Sequence, residues 1–197
     1  MRRFYAILLA AAAAAVFVLP AGAVRASGPA QLIETVVARV SEIVKTRTGA
    51  DRESAMRQVL RDNFDLPYMG SVALGSHWSQ ASEQQRARLL AAIETSEARA
   101  YSERLGNYGG STVTVGTVTS RSGGVSSVDS SLNLANGQTI KLEWEVRDGG
   151  QGPRIVDVKA AGVSMFTTRR SDFNSYIASH GGTVEPLVQV LEARNAR

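Results

Sequence analysis

The sequence contains no cysteine. That excludes a disulfide scaffold, a thiol-based redox enzyme and any thiolate metal site. Histidine is nearly as scarce: His77 and His180 are the only two. His77 sits beside Trp78 in a corner, and His180 precedes Gly181 and Gly182 at the end of a helical pattern, so both read as structural or solvated. Zinc needs three or four ligands at workable spacing, and the neighbouring residues do not supply them. There is no Gly-x-Ser-x-Gly nucleophile elbow. The glycine-rich stretches 106–110 and 149–152 adjoin strand patterns without opening a helix. They lack the helix N-terminus that cradles a phosphate and read as turns. Neither metal nor cofactor is expected.

Basic tracts are also missing once the N-terminus is set aside. Arg2 and Arg3 precede an apolar, alanine-rich run from Phe4 to Leu19, which Pro20 ends. Small residues follow, with possible cleavage sites at Ala21-Gly22-Ala23 and Val24-Arg25-Ala26. This is the three-part plan of a secretory signal peptide, and the run is shorter than the roughly 20 residues a spanning helix needs. Residues 1–26 are therefore expected to be a cleaved signal, with export to the periplasm, and residues 27–197 a single domain. The full chain has 22 Lys+Arg against 18 Asp+Glu. Arg2, Arg3 and Arg25 leave with the signal, so 19 basic residues face 18 acidic ones, a net +1. With no basic tract or aromatic-basic interleaving, nucleic acid is not an expected partner.

What is present falls into three blocks. Residues 29–106 read as helical. Leu32, Ile33, Val36, Val37, Val40, Ile43 and Val44 recur at three- and four-residue spacing, the mark of one buried face. Gly49 is expected to end that helix and Asp51 to cap the next. Pro67 suits the first turn of a short helix, and Ser82-Glu83-Gln84-Gln85 opens a long one with a capping-box pattern. The stripe of that long helix is Leu89, Leu90, Ile93, Ala100, Tyr101 and Leu105, interrupted by Ser96 and Glu97. Residues 111–168 read as strands. Ile140, Leu142, Trp144 and Val146 alternate with Lys141, Glu143, Glu145 and Arg147, so one face is apolar and the other charged and solvated. Asn136-Gly137 is a strong hairpin signal. Strands are expected at Thr112–Ser120, Val125–Leu134, around 140–147, and Ile155–Val163, with the apolar character running on through Met165 and Phe166. Residues 171–193 return to helix, with Ser171 or Asp172 as the cap. The plan is α+β: a twisted four-stranded antiparallel meander covered by helices.

An enzyme would need an acid-base pair. Glu97 on the apolar stripe, with His77 or His180, is the one candidate, because a lone buried carboxylate is costly. Rotation of the helix to expose it is the simpler account.

Three stretches carry a resemblance. Leu74-Gly75-Ser76-His77-Trp78 followed by Ser82-Glu83-Gln84-Gln85 resembles the Gly-x-x-Trp, Ser/Thr-x-Glu-Gln corner of the MlaC family, also called toluene-tolerance or auxiliary ABC-transporter components. Asp157-Val158, Gly162-Val163-Ser164, Arg170 and Phe173 resemble its second signature, and Phe64-Asp65 also fits. Arg169 stands where the family often has tyrosine, and Asp172 where it often has glutamine. The resemblance implies a periplasmic carrier of diacyl phospholipid. Its partners would be an inner-membrane ABC transporter with an MCE-domain subunit and an outer-membrane lipoprotein-porin complex. It also implies an NTF2-like or cystatin-like fold around an internal lipid pocket. A sister group associated with hopanoid synthesis shares the scaffold. A ligand-free periplasmic accessory protein and an NTF2-like hydrolase or isomerase are the other classes left open.

On this reading the lipid pocket is lined or gated by Leu90, Ile93, Tyr101, Leu142, Trp144, Val146, Ile155, Val163, Met165 and Phe166. Arg169 and Arg170 are the expected contacts to a head-group phosphate or an acidic docking surface. A monomer is expected, since no exposed apolar stripe is evident.

Overall fold

The computed structural model describes residues 28–106 and 110–196. The expected signal peptide, and part of the 106–110 turn, lie outside the described residues. Among the described residues are seven α-helices and one five-stranded antiparallel sheet. The sheet is ordered β1 (Thr112–Ser120), β2 (Val125–Asn133), β3 (Thr139–Asp148), β4 (Pro153–Ala160) and β5 (Val163–Ser164), each strand beside its sequence neighbour. The meander was legible; the fifth strand was not. The expected strand 155–163 is broken by a two-residue turn in which Ala161 has φ +50° and Gly162 φ +83°. Positive φ at both central residues is the hairpin geometry that matches strand twist, so the chain doubles back. Lys159 pairs with Ser164 and Ala160 with Val163.

Two irregularities tune the sheet. A bulge lies between Val115 and Val118 on β1, where a side chain at Gly116 would meet the Asp129 carbonyl at 3.3 Å. A second lies on β4, where Ile155 faces Val146 and Asp157 faces Glu145, leaving Val156 as the extra residue. Because opposed residues share a face, this bulge puts Ile155 and Val158 on the same side as Val146 and Trp144. The other face is ion-paired rather than simply solvated. Lys159 Nζ lies 2.9 Å from Glu143 and 2.6 Å from Glu145. The two carboxylates raise the Lys159 pKa, and Lys159 in turn lowers that of Glu143.

The helices are α1 (Pro29–Thr46), α2 (Gly49–Asn63), α3 (Leu66–Leu74), α4 (Ser76–Gln80), α5 (Glu83–Gly106), α6 (Met165–Ser179) and α7 (Glu185–Asn195). Gly49 begins α2 instead of ending α1, and Thr48 rather than Asp51 is its N-cap. Asp65 caps α3 by accepting from the Tyr68 N–H at 3.1 Å. Ser82 and Gln85 form the expected capping box, each side chain accepting the other's backbone N–H. The α6 boundary is the main correction. The helix starts at Met165, with Ser164 as N-cap, so Met165 and Phe166 are not strand residues, and Ser171 and Asp172 lie inside the helix. The cause is local: after the hairpin, Ser164 accepts from the Thr167 N–H, and Asp157 Oδ1 accepts from the Phe166 N–H at 3.1 Å. Two side chains thus satisfy amides that a strand would have paired.

Two hydrophobic cores result. The first packs α1 and α2 against the inner sheet face around Ile33, Val59, Val128, Val146 and Ile155. The second is made by helices alone, around Leu74, Leu89, Ile177 and Val188. The long helix α5 serves both, giving Leu89 and Ala92 to the second and Ala98 to the first.

Candidate functional site

The first core and its seam with the second are incompletely filled. On one side of Tyr101 is a cavity of about 80 Å³, lined from α2–α3 by Leu60, Phe64, Leu66, Met69, Gly70 and Ala73. Leu90, Ile93, Glu97 and Tyr101 of α5, Asp157 and Val158 of β4, and Met165, Phe166, Arg169 and Phe173 of α6 close it. On the other side is a volume of about 220 Å³ over the inner sheet face. Val36, Val37 and Val40 of α1, Met56 and Val59 of α2, and Leu142 and Trp144 of β3 line this one. Tyr101, Met165, Leu60, Phe64 and Val158 belong to both and form the partition.

The partition has one specific contact: the Tyr101 hydroxyl donates to Met165 Sδ at 3.6 Å. Burial, followed by the nearby Glu97 carboxylate, raises the Tyr101 pKa, so the phenol stays protonated and able to donate. Trp144 places its indole N–H on Ser130 Oγ at 2.8 Å, which leaves the ring as apolar wall. Gly70 permits close packing of α3, since a side chain there would meet Leu90 at 2.9 Å.

Three charged side chains line the smaller cavity: the buried Asp157, and Glu97 paired with Arg169. Arg169 Nε lies 2.6 Å from Glu97 Oε1. Glu97 is therefore neither a lone buried carboxylate nor exposed by rotation of α5: a guanidinium from α6 neutralises it. Asp157 holds backbone amides at Val158 and Phe166. Neither histidine lines the two volumes. His180 stacks on Tyr176 with centroids 3.8 Å apart. Among the described residues no group of His, Cys, Asp and Glu is arranged to hold a metal ion, and no helix is long and apolar enough to cross a membrane.

The chain matches the family described as MlaC protein over residues 30–193. It belongs to the MlaC family. A solved structure with the same fold is that of a phospholipid-binding protein from Ralstonia solanacearum in complex with a phospholipid. It aligns with TM-score 0.72 at 24% identity, covering 84% of this chain and 95% of that one. A comparison with curated proteins finds no match.

The residues singled out from the sequence divide into groups. Leu90, Ile93, Tyr101, Met165, Phe166 and Arg169 come together around the smaller cavity, and Leu142 and Trp144 line the larger one. Val146 and Ile155 do not reach either volume: at 1% and 0% exposure they are closed inside the first core. Val163 is 63% exposed, because the Ala161-Gly162 hairpin carries it outward onto β5. Arg170 is exposed too, one helical step from Arg169 but turned to solvent. The α2–α3 wall was missed. Its signal was present in Phe64, Leu66, Met69 and Ala73, an apolar run around a proline, but no pattern in one sequence says that such a run faces an unfilled space.

Proposed function

We propose that this protein is a periplasmic phospholipid carrier. Residues 1–26 are its export signal. It passes lipid between the outer-membrane lipoprotein-porin complex and the inner-membrane transporter with an MCE-domain subunit. The observation that carries the reading is the divided apolar cavity that runs from the first core into its seam with the second, with the Glu97–Arg169 ion pair lining the smaller half. A site for an amphiphile is mostly apolar with few polar groups at the mouth. Family membership and the phospholipid-bound protein of the same fold support the same conclusion.

The energetics are adequate. Two acyl chains bury several hundred square ångströms, and at about 25 cal/mol per Å² this contributes several kcal/mol. Geometry adds a requirement. The two volumes together come to roughly 300 Å³, the lower end of the roughly 300–1,000 Å³ usual for ligand pockets. Admitting two chains requires the partition to open. Met165 suits that role, since its unbranched thioether changes rotamer at low cost and its hold on Tyr101 is one weak S-acceptor bond.

Native mass spectrometry of the protein from a Gram-negative periplasm, followed by solvent extraction, tests the reading. Diacyl phospholipid near one per chain is the expected result. A polycyclic lipid would move the assignment to the hopanoid-associated group. A protein that stays empty after incubation with vesicles would overturn it.

A further inference from the structure

The first turn of α6 walls the smaller cavity: Met165, Phe166 and Arg169 all line it. The two ends of this helix are held differently. Its second half is fixed in the second core, where Phe173 and Ile177 are buried and Asn174 Nδ2 donates to the Ala73 carbonyl at 2.8 Å. The first turn has lighter anchors. Ser164 caps it locally, Tyr101 reaches Met165 through a weak O–H···S bond, and Arg169 meets Glu97 at the end of a long side chain. Among the described residues, a single side-chain hydrogen bond joins the sheet to α6: Asp157 Oδ1, on β4, accepts from the Phe166 N–H at 3.1 Å.

The same oxygen accepts from the Val158 N–H at 2.8 Å. Asp157 is 6% exposed. Burying a carboxylate is costly unless it is paired or hydrogen-bonded. Here the compensation is two backbone amides, one of them at the N-terminus of a 15-residue helix, whose dipole favours negative charge. The chain just before the turn is suited to swing. Residues Ala161, Gly162 and Val163 are exposed, and β5 pairs with β4 over only two residues. Ala161, at φ +50°, is the one non-glycine residue with positive φ among the described residues. Alanine is strained there, and such strain persists only where other contacts hold it.

We infer that the first turn of α6 is the door through which lipid enters and leaves, and that Asp157 is the positioning residue that latches it. This rests on the carrier reading above. Opening breaks the bond to Phe166 and lets Ala161 relax. It withdraws Met165, Phe166 and Arg169 from the wall together, while Phe173 and Ile177 stay packed. Acyl chains in the cavity give Met165 and Phe166 a surface to close against, so a bound lipid favours the latched state.

The test is transfer of pyrene-labelled phosphatidylethanolamine from the loaded protein to unlabelled phosphatidylcholine vesicles, beside urea unfolding and hydrogen exchange. Asp157→Ala removes the acceptor and is expected to speed release by about three- to thirtyfold, the range for losing a helix-capping contact. Asp157→Asn keeps an acceptor oxygen and is expected to fall between that variant and the wild type. Val188→Ala, sealed in the second core and lining neither volume, is expected to lower the unfolding midpoint and leave release unchanged. In the wild type, the Phe166 and Thr167 amides are expected to exchange faster once lipid is stripped out, while those of Asn174–Ser179 do not change. Release from Asp157→Ala at the wild-type rate, equal speeding by Val188→Ala, or amide protection that ignores lipid would overturn this inference and leave the carrier intact. Failure of the wild type to take up lipid would overturn both.

Discussion

The two hydrophobic cores are built from the same residue types but close differently. In the first, helices lie on a sheet, and its centre is sealed: Ile33, Val128 and Ile155 are wholly inaccessible. In the second, α3–α7 pack on one another around Leu89, Ile177 and Val188, equally inaccessible. The larger volume lies within the first core, away from that sealed centre, between α1–α2 and the inner sheet face. The smaller cavity lies where the cores meet, because a helical layer and a twisted sheet cannot be complementary along their whole boundary.

The helix α5 shows how the seam is encoded. Its inward residues Leu89 and Ile93 follow a four-residue spacing, and the next wholly buried one is Ala98, five residues on. Five steps rotate the buried face by about 140° on a helix of 3.6 residues per turn. The polar residues at the changeover are Glu94, Thr95, Ser96 and Glu97. Glu94 is held by Arg61 with both oxygens at 2.9 Å, Ser96 bonds Asn195, and Glu97 takes Arg169. The break in the apolar stripe, which invites a catalytic reading, is where the helix leaves one core for the other.

Adjacent positions on α5 give the largest expected contrast. Leu89→Ala should cost about 3 kcal/mol, the usual loss for a sealed leucine. Leu90→Ala, at the cavity wall where contacts exist on one side only, should cost about 1 kcal/mol. Urea unfolding of the two variants checks this, and equal losses would mean the seam is as tightly packed as the cores. Next, Val158→Phe should fill part of the partition with little change in unfolding midpoint, while co-purified lipid falls several-fold. Unchanged lipid content would place the ligand elsewhere.

Acid should loosen the second core before the first. Arg88 reaches from α5 to both Glu185 and Glu192 on α7, at 2.9 and 2.6 Å. Gln85 and Arg88 hold the Glu185 pKa below its ordinary value, and Arg88 does the same for Glu192. A carboxylate whose folded pKa is depressed contributes stability that is fully present above the ordinary value, about 4.3, and is lost as pH falls through the folded one. Hydrogen exchange from pH 6 down to 3.5 should therefore show α7 losing protection before β2 and β3. Uniform loss would make the clamp irrelevant. The smallest effect is expected from Arg170→Gln. Its side chain makes no ion pair among the described residues, so neither stability nor lipid content should change, and only docking to a membrane partner would reveal a role.

Much of this was legible locally. The boundaries of β1, the Ser82–Gln85 capping box, the Asn136-Gly137 hairpin and the alternating β3 each follow from short-range rules whose partners lie a few residues away. So did the α+β plan, because a helical period followed by a strand period leaves few ways to bury both faces. The misreadings share a cause. A strand through Val163 and Phe166 was plausible on apolarity, but Ala161 takes a left-handed conformation that alanine seldom adopts, and Asp157 caps the helix start from another element. Both are imposed at a distance.

The sequence by itself therefore determined which residues are apolar, in what period, and where the chain turns, since these depend on side-chain chemistry and backbone sterics within one element. Tertiary structure alone decided which apolar residues face one another and which face an unfilled space. That difference separates Ile155, sealed beneath α1 and α2, from Val158 three residues later at the partition. It also joined Glu97 to Arg169 across 72 positions, because a charge on an apolar stripe is tolerated only when another element brings its counter-ion.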